Sequence, residues 1–241
     1  VDAVIVGVKS WQLPEAARAM RPLIGAGTAV LPLLNGVEAA DQLAAALGPG
    51  HALGGLCRII AFIAGPGHIR HTGIEPSVDL GELDGARSPR AEALRDALTG
   101  AGVRATLADD IGVALWEKFM LIVTWGGIGA ITRAPIGVWR GMPGTRAMAE
   151  QSLREVLALA HARGVPVDEG RVAATLAFID GVPAAGTASI QRDIMDGRPS
   201  ELESQSGAVV RLGAESGVPT PLHSVIYASL LAQVAAGGAQ A

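Results

Sequence analysis

The apolar pattern of this chain changes period once, near Asp109-Asp110, and that change limits the fold more than any other feature. Before it, short apolar runs alternate with helical stretches. Val4-Ile5-Val6-Gly7-Val8 reads as a strand, and a continuous run of this kind belongs in a parallel sheet covered on both faces. Pro14 can open a helix to about residue 23, because proline suits the first helical turn. A second buried strand is expected over residues 28–34, ended by Asn35-Gly36, then a helix over 38–47 and an apolar strand region over 53–64. Gly65-Pro66-Gly67 is a turn, and residues 68–72 followed by 77–81 resemble a β-hairpin. A helix over 89–100 and a short strand over 103–107 complete a βαβ rhythm, which implies a mostly parallel sheet with an antiparallel edge.

From Ile111 onward the pattern is helical almost throughout. A long apolar helix over 111–131 contains Gly126, Gly127 and Gly129, read as places of close helix packing, since no strand precedes them as a phosphate loop would require. Amphipathic spacing (Met148, Leu153, Val156, Leu157, Leu159, Ala160) predicts a helix over 145–163 closed by Gly164. Further helices are expected over 172–179, 189–195, 201–216 and 222–235, with a frayed tail over 237–241. The expected fold is therefore α/β followed by all-α, with domains at 1–108 and 109–241. The chain opens inside a strand and without Met, so an upstream segment is expected.

Bulk properties narrow the function. A net charge of −4 argues against a nucleic-acid binder, which would present a basic face. The single Cys57 rules out an intramolecular disulfide and a Cys-based zinc site. His68 and His71 lie on an expected hairpin with no acidic cluster beside them, so no metal is expected. No apolar run is read as approaching the ~20 residues of a membrane span, and no basic-then-apolar leader is present. The expectation is a soluble cytoplasmic protein with neither nucleic-acid nor membrane partners.

Two residue types stand out by scarcity. Of nineteen basic residues two are lysine, Lys9 and Lys118, and Asn35 is the one asparagine. A lysine can lose its proton on desolvation and so can donate one, whereas arginine stays charged. Lys9 and Asn35 each follow an expected strand end on consecutive strands, the rim where open α/β sheets bind ligands. Lys118, in Trp116-Glu117-Lys118-Phe119, comes early in the long helix, where it can face a cleft between domains; the same local context suits a snorkelling surface lysine. Ser200-Glu201-Leu202-Glu203 reads as a capping box, with Glu201 in the first helical turn, and Ser189 reads as a helix start.

Taken in order, these segments resemble the ketopantoate reductase (2-dehydropantoate 2-reductase) family over nearly the whole chain. They are Val8-Lys9-Ser10-Trp11-Gln12, Leu34-Asn35-Gly36-Val37-Glu38, His71-Thr72-Gly73, Trp116-Glu117-Lys118-Phe119, Ala130-Ile131-Thr132, and Ser189 to Glu201 with Asp193 and Gly197-Arg198 between. The resemblance implies the later portion of a Rossmann-type nucleotide domain, followed by a helical substrate and dimerisation domain like that of 6-phosphogluconate dehydrogenase. It implies NADPH-dependent reduction of a 2-keto acid, ketopantoate or a relative, by a homodimer in pantothenate biosynthesis. Lys118 matches the catalytic lysine that polarises the carbonyl and supplies its proton. Glu201 matches the acid that holds a substrate hydroxyl and orients the lysine, and Ser189 the hydroxyl that binds the carboxylate. Asn35 and Lys9 match groups at the nicotinamide end, and Asn35 is also expected among the substrate-binding groups.

Two departures qualify that expectation. The family's G-x-G-x-x-G loop should stand on the order of 65 residues before the strand ending at Lys9, and it does not occur in this sequence. Because that loop binds the pyrophosphate, the chain by itself is expected to bind NADPH poorly and to be inactive. The family also usually carries asparagines four and eight residues after the lysine, where this chain has Ile122 and Gly126. A less polar 2-keto acid is therefore expected as substrate. A reading of another class is a non-catalytic, oligomerising remnant of the family.

Overall fold

The computed structural model describes residues 1–237. The chain falls into two compact units that divide between Leu115 and Trp116, a few residues into a long helix. The tail expected over 237–241 lies, but for Gly237, outside the described residues.

The first unit is built on parallel strands. β1 (Ala3–Val6) pairs in parallel with β2 (Ala29–Pro32), Ala3 opposite Ala29 and Val6 opposite Pro32. A single parallel bridge from Val30 to Ala52 leads on to β3 (Gly54–Arg58). β3 pairs antiparallel with β6 (Ser77–Gly81), which pairs in parallel with β7 (Arg104–Leu107). The antiparallel step thus lies inside the strand order rather than at its edge. Its cause is the excursion between β3 and β6: β4 (Ala61–Gly65) turns through Gly65-Pro66-Gly67 into β5 (His68–His71), a separate hairpin. The apolar region read as one strand over 53–64 is therefore two strands, broken at the exposed pair Ile59-Ile60. Residues 77–81 do not pair with 68–72 but return to β3.

Strand alternation places the core. Val30 faces a cluster with Val6, Leu13, Met20 and Leu43, which the helices α1 (Leu13–Met20) and α2 (Ala39–Leu47) supply. Its neighbour Leu31 points the other way, toward Leu53, Leu80, Leu107 and Leu94 of α3 (Pro89–Gly100). β2 is thus covered on both faces, as its continuous apolar run requires. β1 differs from expectation: Val6 is 3% exposed but Ile5 is 50% exposed, so one face of the opening strand is open among the described residues. α3 starts as its sequence indicates, with Ser88 Oγ accepting the Ala91 N–H at 3.2 Å and Pro89 in the first turn.

α4 (Ile111–Thr132) ends the first unit and begins the second. Ile111 seats its side chain against the glycine positions Gly54 and Gly81 of β3 and β6. Contrary to the sequence reading, α4 is long and apolar enough, by length and composition, to cross a membrane. Half of its most apolar stretch is buried inside the protein, as a core helix of a globular unit would be.

In the second unit α5 (Ile136–Trp139), α6 (Pro143–Ala162), α7 (Arg171–Gly181), α8 (Ser189–Met195) and α10 (Pro221–Gly237) pack with α4, and α9 (Ala208–Ser216) packs against α6 and α10. The glycines of α4 do what the sequence suggested. A Cβ on Gly126 would lie 2.6 Å from Ile190 Cγ2, one on Gly127 3.1 Å from Ile226 Cγ2, and one on Gly129 2.5 Å from Gln191 Oε1. Their lack of side chains lets α8 and α10 approach α4 closely.

Beneath α6 and α10 runs a buried polar chain that the pattern does not announce. Thr124 Oγ1 lies 2.7 Å from Ser152 Oγ, which lies 3.0 Å from His223 Nε2. Glu155 accepts the Leu222 and His223 backbone N–H groups at 2.9 and 3.1 Å, capping α10 from another helix.

Candidate functional site

Lys9 and Asn35 stand where the strand periodicity puts them. The β1–β2 ladder runs on to the Leu33 N–H, which donates to Val6 O at 2.9 Å, and both residues follow at the same end of the two parallel strands. Lys9 opens a single 3₁₀ turn over Ser10–Gln12; its N–H donates to Gln12 Oε1 at 3.0 Å, and its ammonium lies 5.8 Å from the centre of the Trp11 ring. Asn35 is half-buried and precedes Gly36, whose φ of 100° needs glycine. A narrow apolar pocket lined by Pro32, Leu34, Gly36, Val37, Gly55 and Leu115 adjoins it.

This end of the sheet suits one part of a dinucleotide. A side chain built on Gly7 at the end of β1 would meet nothing within 4 Å, so a flat group can come close to the backbone there. Asn35 and Lys9 bring an amide and an ammonium to this end, polar groups of the kind a nicotinamide's amide and ribose would need. For the pyrophosphate the sequence offers no G-x-G-x-x-G loop, so the residues present fit the nicotinamide end and not the whole cofactor.

The remaining candidates lie in the second unit, on α4, at the start of α8 and on the segment after Ser200. Lys118, Ile122 and Gly126 recur every four residues and share that face. Lys118 and Ile122 are half-buried. The carboxylate next to Lys118 is already engaged, since Glu117 pairs with Arg171 of α7. At Gly126 two other segments arrive: Ala188 Cβ and Ile190 Cγ2 lie 3.9 and 2.6 Å from its Cβ position, and Gln205 Oε1 lies 3.3 Å from it.

Ser189 is the first residue of α8, between those two contacts, and is exposed. Its place is fixed by Gln191, 1% exposed, whose Oε1 accepts the Ala188 N–H at 3.4 Å and whose Nε2 donates to Ala134 O at 3.0 Å. This amide staple, over Gly129, ties the start of α8 to the end of α4, and it was not singled out in the sequence. The Asp193, Gly197 and Arg198 of the motif close α8: Arg198 N–H donates to Asp193 O at 2.8 Å, its guanidinium pairs with Asp193 and Asp196, and Gly197 supplies a φ of 66°.

Glu201 does not begin an ordinary helix. Ser200 is 1% exposed and its Oγ has no hydrogen-bond partner among the described residues, so the expected capping box does not form. Glu203, its supposed reciprocal partner, instead accepts the Tyr227 hydroxyl at 2.5 Å. The chain passes through a π-helical turn over Glu203–Gly207 before α9. Tertiary burial overrides the local pattern: Ser200 is turned inward and the helix is wound wide. Such π-turns are frequent at functional sites. Glu201 is 5% exposed, and its carbonyl accepts the Gln205 N–H at 3.1 Å.

Within the second unit, Ser189 and Glu201 lie on the two segments, α8 and the turn before α9, that reach α4 at Gly126, about two helical turns from Lys118, and in the first unit Lys9 and Asn35 follow the same end of β1 and β2. An ammonium, a hydroxyl at a helix start and a buried carboxylate form a set suited to a small acid with a carbonyl: positive charge for a developing oxyanion, donors for a carboxylate, and an acceptor for a hydroxyl.

Comparison with known proteins follows the same lines. The family model described as ketopantoate reductase PanE/ApbA matches residues 1–85, and that described as its C-terminal part matches residues 110–234. An uncharacterised oxidoreductase, YkpB, of Bacillus subtilis is 26% identical over 95% of this chain and 76% of its own length. A 2-dehydropantoate 2-reductase of Mesorhizobium japonicum is 29% identical over 94% of this chain and 75% of its own. The crystal structure of a PanE/ApbA family ketopantoate reductase from Ralstonia eutropha superimposes with a TM-score of 0.89 at 28% identity, covering 99% of this chain and 77% of that one. A D-mandelate dehydrogenase in complex with NADH and anilino(oxo)acetate shares the fold, with a TM-score of 0.89 at 24% identity over the whole of this chain and 78% of that one.

Proposed function

The chain belongs to the ketopantoate reductase family of oxidoreductases, and from that premise we propose that it takes part in NADPH-dependent reduction of a 2-keto acid to the 2-hydroxy acid. The observation that supports the reading is that α8 and the segment after Glu201 both meet α4 at Gly126, which lies on the same helix face as Lys118 by its spacing.

The nicotinamide, when bound, supplies a hydride to the carbonyl carbon. The protein's residues do the rest. Lys118 places an ammonium at the carbonyl oxygen, stabilises the negative charge that grows there, and gives up a proton to make the hydroxyl. Ser189, at the open start of α8, donates to the substrate carboxylate, and the first turn of a helix favours that negative charge. Glu201, buried on the segment that meets α4 at Gly126, accepts a substrate hydroxyl and holds the lysine in place. Asn35 and Lys9 fix the nicotinamide end. Ketopantoate, giving pantoate for pantothenate biosynthesis, or a close relative is the substrate, and the setting is a cytoplasmic homodimer.

Calorimetry with NADPH tests this reading, on the chain from Val1 and on a version extended upstream in its gene. Binding by the extended form alone, with turnover of 2-keto acids, supports a reductase whose pyrophosphate site lies outside residues 1–241. Absence of binding by either form assigns the chain to the non-catalytic, oligomerising reading.

A further inference from the structure

The α4 face that bears Lys118 meets a buried amide from the segment after Glu201. Along the α4 face the order of side chains is the Lys118 ammonium, the branched apolar Ile122, and then none at Gly126, about 12 Å of helix from Lys118. The space at Gly126 is not empty. Ile190 fills one side of it, and the Gln205 amide the other, with Oε1 3.3 Å from where a Cβ would stand.

Gln205 is 2% exposed, and its surroundings are unusually polar for the middle of a helical unit. Between Ser200 and Ser206 the buried residues are Ser200, Glu201, Leu202, Gln205 and Ser206, four of the five polar. The Oγ atoms of Ser200 and Ser206 have no hydrogen-bond partner among the described residues. Buried polar groups without a protein partner are rare, and they point to an unseen water or ligand. A segment needed only to fill the core would carry apolar side chains here, as the neighbouring contacts of Ile190, Leu202 and Ile226 do.

We propose that Gln205 is the specificity-determining residue for the far end of the substrate, its amide hydrogen-bonding a polar substituent on the 2-keto acid's side chain. The inference rests on the 2-keto acid reading above. Along the face, charge, apolar surface and amide follow one another, the order of groups in an acid with a carbonyl, a branched carbon and then a hydroxyl. Ile122 and Gly126, taken from the sequence alone, indicate a less polar substrate; Gln205 returns the missing amide from another element.

The test uses two 2-keto acids that differ by one hydroxyl, ketopantoate and 3,3-dimethyl-2-oxobutanoate, on the gene-extended protein and its Gln205→Met variant, with circular dichroism as a check on folding. The unaltered protein is expected to favour the hydroxylated acid at least about tenfold in kcat/KM, because a site with a buried hydrogen-bonding group rejects the analogue that leaves it unpaired. Gln205→Met should lower that ratio by about threefold or more, mainly through KM for ketopantoate, with the Glu201 contact to the same hydroxyl left in place. A residue that only packs would lower both substrates alike and leave the ratio unchanged, and that outcome overturns the proposal, as does no preference in the unaltered protein. If Gln205→Met does not fold, Gln205→Asn serves: its amide is one carbon too short, so a wild-type ratio there is equally contrary. Reduction of neither acid removes the reductase reading and this inference with it; reduction of both with a ratio insensitive to position 205 removes the inference alone.

Discussion

Lowering the pH from about 7.5 to about 5 should destabilise the second unit by about 2 kcal/mol through one residue, His223. Its imidazole is fully buried, and burial pushes its pKa down from 6.5 to about 4, partly opposed by the hydrogen bond with Ser152. Its other ring nitrogen, Nδ1, has no partner among the described residues, so a second N–H could not be satisfied. The Glu155 carboxylate at this end of α10 is committed to the backbone N–H groups of Leu222 and His223. The folded state therefore holds a neutral ring, while the unfolded chain takes up a proton near pH 6.5. Stability from this group is complete above the unfolded value and is lost as the pH falls from there toward the folded value near 4. The full gap of about 2.5 units corresponds to roughly 3 kcal/mol, of which about 2 is lost by pH 5. The assay is urea unfolding at several pH values, followed by fluorescence, since Trp116, Trp125 and Trp139 lie in the second unit and Trp11 in the first. His223→Gln keeps an acceptor for Ser152 but cannot take up a proton, so its stability should be nearly flat across this range. An equally steep loss in His223→Gln would refute the reasoning.

Three further outcomes follow from the same geometry. Gly129→Ala should destabilise by about 1–3 kcal/mol in denaturant, although alanine is the better helix former by about 1, because its Cβ would fall 2.5 Å from the buried Gln191 amide that holds α8. Arg133→Gly should stabilise by about 1 kcal/mol in thermal unfolding, since Arg133 adopts a φ of 54° after α4 and its exposed 3.5 Å contact with Gln233 contributes little. Ser189→Ala should raise KM for a 2-keto acid about tenfold with kcat nearly unchanged, as for a group that binds the carboxylate equally before and during reaction; a fall in kcat alone would assign Ser189 a different part.

How much of this was legible depended on whether the cause was local. The strand ends that carry Lys9 and Asn35, and the close packing at Gly126, Gly127 and Gly129, follow from periodicity and residue size, and the structure has them. The split between β3 and β4 was hidden because the apolar run through Ile59 and Ile60 has no turn residue to mark it. The Ser200–Glu203 capping box was misread for the opposite reason: the local signal was strong, but Ser200 is buried and Glu203 is taken by Tyr227 from a helix more than twenty residues away. Gln191, Gln205 and the Thr124–Ser152–His223 chain gave no signal, because a glutamine or serine on a helix reads as solvent-facing until the neighbouring helix is placed. Sequence order alone does not show which glycine opens the room such an amide fills.

The role of Lys118 is the centre of this account, and turnover by the gene-extended protein and its Lys118→Ala variant tests it most directly. The measurement is loss of NADPH absorbance with a 2-keto acid at saturation, with NADPH affinity taken in parallel by calorimetry. The account predicts that kcat falls by about 10²–10⁴-fold while NADPH affinity and the melting temperature hold, as for a lost proton donor. A variant that turns over within a few-fold of the unaltered protein would contradict it and return Lys118 to the surface lysine its local sequence also allows.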